Sequence, residues 1–168
     1  MKKTKFTIFL VAVIAALSTV FALSACGKEE APDNSEGVSI TVVVLQGDAV
    51  LFNKTAETTQ SYLRDAITAD FTEIGLVGTE SEYGFWTEKV NIVLYFDTPN
   101  AETSSLDPKS ADEFIAYYSS IDDPLYTSTE FGTKLYDGKT FASNALGVSE
   151  MPVFNGAIYI ITVATFGN

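Results

Sequence analysis

The chain has 168 residues, with 22 acidic side chains against ten basic ones, room for one compact domain plus a leader and a tether. It contains no histidine and a single cysteine, which removes the usual zinc, copper and iron ligands and the usual general base. The acid excess repels polyanions and argues against nucleic acid as a partner.

Lys2, Lys3 and Lys5 precede an apolar run from Phe6 to Ala22. A charged start, a long apolar stretch and a small-residue exit are the layout of a secretory signal peptide. The four residues that follow, Leu23-Ser24-Ala25-Cys26, resemble a bacterial lipobox. That resemblance implies cleavage before Cys26, acylation of its thiol and anchoring on the extracytoplasmic face of the cell membrane. Two or three acyl chains give a stable anchor where one gives only marginal binding. The alternative is an uncleaved helix, since the run is close to the roughly 18-residue lower limit for a membrane span. Without residues 1–25, seven basic and 22 acidic groups remain, a formal charge of −15. The membrane is thus expected as a partner through the lipid anchor only.

Residues 26–37 are polar and read as a flexible tether. Asp33-Asn34-Ser35-Glu36-Gly37 lacks the register of a calcium loop, with Val44 where a bidentate glutamate is needed. Val38 to Gln46 reads as a strand apolar on both faces. Gly47-Asp48 is a hairpin turn, and Ala49 to Thr55 returns as a second strand. Thr58 and Thr59 are positioned to cap a helix running to about Phe71, with Leu63, Ala66, Ile67 and Phe71 on its apolar stripe. Gly75 and Gly78 are read as ending that helix and opening a loop. Glu82 to Val90 and Ile92 to Asp97 read as two strands.

Pro99 to Lys109 reads as a loop. Ser110 and Glu113 form a capping-box pattern ahead of Phe114, Ile115, Tyr117, Tyr118 and Ile121, which predicts a second short helix ended by Asp122-Asp123-Pro124. Thr127 to Tyr136 reads as a strand followed by a turn at Asp137-Gly138, with a short strand at Phe141-Ala142. A turn at Asn155-Gly156 precedes a long apolar strand, Ala157 to Phe166, expected at the centre of the sheet.

Three blocks carry a resemblance over residues 38–168. The first is Gly75-Leu76-Val77-Gly78 with Glu82-Tyr83-Gly84-Phe85-Trp86 and Val90-Asn91. The second is Tyr136-Asp137-Gly138-Lys139. The third is Gly147-Val148 with Asn155-Gly156 and Tyr159-Ile160. Together they resemble a bacterial surface-domain family of unknown function, itself similar to the C-terminal β-grasp domain of transcobalamin and intrinsic factor. The resemblance implies an α+β fold with a β-grasp-like mixed sheet packed on one main helix. It also implies a binding role, with a cobalamin-like ligand as one candidate. The chain departs from the family's pattern in having Ile92 where a glycine usually follows Val-Asn, and Glu130-Phe131-Gly132 where a tryptophan usually precedes the second block. Residues 99–127 then read as an insertion carrying the second helix.

No P-loop, dinucleotide glycine fingerprint or Gly-x-Ser-x-Gly elbow is present, so no catalytic residue, metal site or cofactor is assigned. The candidate ligand contacts are aromatic: Tyr83, Phe85 and Trp86 on one strand, and Tyr117 and Tyr118 on the second helix. On a strand, Tyr83 and Phe85 share one face and Trp86 takes the other, so an open face could stack on a flat ligand. A covering segment would instead make it core. Two functional expectations follow: a lipid-anchored module binding an unidentified small molecule, or a cell-surface domain that pairs with another protein through an open sheet edge.

Overall fold

The computed structural model describes residues 31–82, 84–94 and 102–166. Among these described residues, nine strands and one helix follow in order: β1 (Val38–Gln46), β2 (Ala49–Thr58), α1 (Leu63–Asp70), β3 (Ile74–Ser81), β4 (Gly84–Leu94), β5 (Glu102–Leu106), β6 (Glu113–Ser119), β7 (Thr127–Tyr136), β8 (Lys139–Asn144) and β9 (Ile158–Thr165). The fold is therefore mixed α+β, with a minor helical part. Six strands form the main sheet in the order β2-β1-β9-β6-β8-β7, and β3-β4-β5 form a second, smaller sheet.

The first and last strands explain the main sheet. β1 is buried on both faces from Val42 to Leu45, as its unbroken apolar run requires. It pairs antiparallel with β2 and parallel with β9, with Val43 opposite Ile160. β9 is accordingly central, between β1 and β6. The two faces of the main sheet line two cores. On one face Val42, Val44, Tyr159 and Ile161 pack with Leu63, Ala66 and Ile67 of α1, and with Val90 and Ile92 of the small sheet. On the other, Val43, Leu45, Ala116, Tyr118, Phe141 and Ile160 form a second cluster. The edges of the sheet curl toward each other around that cluster. Asn53 Nδ2 on β2 donates to the Tyr136 hydroxyl on β7 at 3.0 Å, and Lys134 Nζ donates to the Gly47 carbonyl at 2.9 Å. The β7–β8 turn places both Asp137 and Gly138 at positive φ, 49° and 71°, the backbone of a two-residue hairpin.

Several expectations need correction. The second short helix does not form: Glu113–Ser119 is strand β6, paired over seven residues with β9. Its alternate residues enter different cores, Ile115 on one face and Ala116 and Tyr118 on the other, and double-sided burial overrides the capping-box signal. The stretch read as an insertion thus contributes a strand to the middle of the main sheet. Gly75 and Gly78 lie inside β3 rather than in a loop. A Cβ on Gly78 would sit 1.9 Å from the carbonyl oxygen of Trp86, so only glycine lets β3 press this closely on β4. The two strands expected from Glu82 to Asp97 are one, Gly84–Leu94, and residues 95–97 lie outside the described part.

The helix starts later than expected. Its N-cap is Tyr62, with no side-chain capping bond, and Thr58 closes β2, where its hydroxyl accepts from the Gln60 amide at 3.1 Å. Residues 31–37 of the segment read as tether lie against the domain. Asn34 is only 4% exposed, and its amide donates to the carbonyls of Gln60 and Val153 at 2.9 and 3.0 Å.

Candidate functional site

The site forms where β6 loses a neighbour. β6 pairs with β8 only at Tyr118↔Ser143 and Ser119↔Ala142. Beyond Asn144 the chain leaves the sheet and runs through Ala145 to Val148 toward α1, where the Val148 carbonyl accepts from the Arg64 amide at 3.0 Å. The lane beside the first half of β6 becomes a slot of about 660 Å³. Phe85, Trp86 and Thr87 of β4 line one wall, and Phe114 to Tyr117 of β6 line another. Ser143 to Val148 and the Thr165-Phe166 end of β9 complete it.

The aromatic residues sit in defined ways. Trp86 points out of the small sheet and is 53% exposed. Phe85, on the opposite face, is half-buried, and the Arg64 guanidinium lies 3.9 Å from its ring centre, a cation–π contact. Arg64 also pairs with Glu80. Tyr117 reaches across to β4, where its hydroxyl bonds Thr87 Oγ1 at 2.6 Å. Burial pushes the Tyr117 phenol well above its usual range, with the Thr87 hydrogen bond opposing this weakly. Phe166, 60% exposed, stacks on Phe114 with ring centres 4.4 Å apart.

The structure thus brings together three of the sequence candidates, Phe85, Trp86 and Tyr117, at one slot. Tyr118 does not join them. It follows Tyr117 on a strand, so it faces the second core at 5% exposure, and burial raises its pKa too. Tyr83 and Cys26 lie outside the described residues. Sequence reasoning missed Phe114, Phe166 and Asn144. The two phenylalanines are far apart in sequence, and the helix reading placed Phe114 wrongly. Both side-chain polar atoms of Asn144 are buried with no hydrogen-bond partner among the described residues. Such groups are rare in folded proteins and point to a missing partner.

Asp123, expected to help end a helix, instead shapes a turn outside the slot. Asp123 Oδ1 accepts from the Leu125 amide at 2.9 Å and the Asp123 carbonyl from the Thr127 amide, also at 2.9 Å, which shapes the entry to β7. Tyr126 packs on Phe154 with ring centres 5.3 Å apart. A second recess of about 650 Å³ is lined by Ser119, Asp122, Asp123 and the threonines of β7, with none of the slot's aromatic residues. Among the described residues, no three of His, Cys, Asp and Glu gather to hold a metal ion, and no helix is long and apolar enough to cross a membrane.

No protein-family model and no curated protein matches the chain. Among solved structures, the chain is similar to a proposed metal-binding protein from Ruminococcus gnavus at 15% identity, covering 76% of this chain and 97% of that one, with a TM-score of 0.44.

Proposed function

We propose that the protein is a lipid-anchored binding module on the extracytoplasmic face of the cell membrane, holding a small molecule in the slot beside β6. The observation that carries this reading is the convergence of Trp86, Phe85 and Tyr117 on one apolar opening of about 660 Å³. That volume is in the range of ligand pockets, which are apolar with a few polar groups inside. An outward tryptophan beside a stacked phenylalanine pair suits a ligand with a flat or apolar face. The domain itself reads as β-grasp-like. A first hairpin, a helix crossing one face, and a last strand parallel to the first support that reading. Anchoring rests on Lys2, Lys3 and Lys5, the apolar run and the Leu23-Ser24-Ala25-Cys26 tetrapeptide. The module is non-catalytic in this reading and uses no cofactor.

The test is a thermal-shift screen on residues 27–168 with Trp86 fluorescence as a second readout. Cobalamin heads the panel because of the family resemblance, followed by nucleosides, oligosaccharides and short peptides. A saturating ligand raises the unfolding midpoint whatever its chemistry. A ligand that stabilises the domain without perturbing Trp86, the chain's single tryptophan, would move the site away from this slot.

A further inference from the structure

The slot has a wall of main chain as well as rings. In an antiparallel pair, a residue's N–H and C=O point to the same side, and the side alternates along the strand. The Ser120 amide donates to the Ile158 carbonyl, and the Phe166 amide donates to the Asp112 carbonyl. With the β6–β9 register, this parity turns even-numbered residues of β6 toward β9. Glu113, Ile115 and Tyr117 therefore turn their main-chain groups toward the lane of β8. The Glu113 amide is occupied by the Ser110 carbonyl. Among the described residues, no strand pairs with this flank before Tyr118. Ile115 is 6% exposed overall, and buried main-chain groups of this kind are nearly always paired.

We propose that the ligand of this slot is a short, free, extended peptide that adds as a strand to the open flank of β6. This deepens the binding reading above and rests on it. Several observations select a peptide. The flank offers the alternating donors and acceptors that an extended backbone satisfies. It runs from Glu113 to Ala116, since the register that pairs Tyr118 with Ser143 puts Asn144 opposite Tyr117; that is about 10 Å at strand rise, a length that suits about four residues. Asn144, the last residue of β8, closes the lane at one end. An incoming strand collinear with β8 must therefore stop there, which favours a free peptide end over a through-running segment. The unpartnered Asn144 amide offers that end both a donor and an acceptor. Trp86, Phe114 and Phe166 line the same slot and offer apolar surface to the side chains of the strand. Glu130 at the slot and the −15 charge of residues 26–168 favour a cationic sequence.

The test uses the full chain in mild detergent. The probe is a synthetic four-residue peptide with free ends, in which valine and tyrosine alternate with lysine. Two further probes carry N-methyl groups on alternate sets of its residues. Expected are slowed hydrogen exchange at the Ile115 amide and a change in Trp86 emission on binding the parent peptide. One N-methylated isomer, the one whose blocked amides face β6, should lose roughly tenfold or more in affinity, about the worth of one or two main-chain hydrogen bonds. The proposal is overturned if both isomers bind like the parent, if bound peptide leaves the Ile115 amide unprotected, or if the parent does not bind. A corrinoid or sugar that saturates the slot without protecting that amide leaves the binding reading standing and removes the peptide. If neither small molecules nor peptide bind, both readings fall.

Discussion

The hydroxyl of Tyr117 and Oγ1 of Thr87 lie 2.6 Å apart, and this bond ties the main sheet to the small one beside the slot. Thr87 is 5% exposed, so its hydroxyl has little access to bulk water as a substitute. The bond therefore holds β4, and with it Trp86, at a fixed distance from the open flank of β6.

Tyr117→Phe should strip Thr87 of its partner. Leaving a buried hydroxyl unsatisfied costs about 1–3 kcal/mol. Adding Thr87→Val in the same chain should recover most of that loss, because both polar partners are then gone. Urea unfolding of the two single variants and the double variant gives the coupling directly. Strictly additive losses would mean that the bond does not join the sheets.

Alkaline pH should weaken the fold. Burial raises the phenols of Tyr117, Tyr118 and Tyr159 above the ordinary value of 10.0, Tyr159 to about 12. The folded state keeps these protons where the unfolded chain has lost them. Stability is then independent of these groups below pH 10 and falls as pH rises above it. For Tyr159 the loss continues to about pH 12, at up to about 1.4 kcal/mol per pH unit. Urea midpoints at several pH values between 9 and 11.5 read the slope. Tyr159→Phe should flatten it, although it also removes the bond to the Pro152 carbonyl at 2.8 Å.

Trp86→Ala should change stability by less than about 1 kcal/mol, as at surface sites. The side chain is half exposed, and the tight contact at this point is made by its carbonyl against Gly78. The same change should weaken ligand binding. A core tryptophan would instead cost about 3–5 kcal/mol, so a loss of that size in a denaturation curve would remove Trp86 from the binding surface.

The sequence pattern reached the strands whose burial is simple. β1 is an unbroken apolar run, β9 another, and both hairpin turns carry a glycine beside an aspartate, Gly47-Asp48 and Asp137-Gly138. It failed at Glu113–Ser119, where Phe114-Ile115-Ala116-Tyr117-Tyr118 is apolar at every position. Such a run fits a helix or a strand buried on both faces, and periodicity alone cannot separate them. That failure hid the site, because the slot exists only if Glu113–Tyr117 is a strand whose neighbour has departed. That Phe85 and Trp86 lie on opposite faces was legible from strand alternation, but which of them faces outward was not. Asn144 was not, since its isolation depends on where β8 leaves the sheet.

Cys26→Ala tests the anchor. The exchange removes the thiol that would carry the lipid, so processing at that position should stop and precursor should accumulate in the membrane fraction. Mass spectrometry of the protein from detergent extracts distinguishes the species. A variant still cut after Ala25 and still membrane-bound would leave the Leu23-Ser24-Ala25-Cys26 reading without support.

Asn144→Leu separates binding from folding at the slot itself. The Asn144 amide has no partner for either polar atom, and an unsatisfied buried polar group costs about 1–3 kcal/mol. Leucine has nearly the same size and brings no polar atom. The substitution should therefore leave stability unchanged or raise it, an unusual direction for a change at a position that helps close a cavity. If the amide receives the end of a peptide, the same substitution should weaken that peptide by roughly tenfold while leaving the Ile115 amide protected at saturation. Asn144→Asp should behave differently, since an unpaired carboxylate in this position is costly to bury. A clear loss of stability in Asn144→Leu would show that the amide is already satisfied in the free protein, and the end of the lane would then need another recognition group.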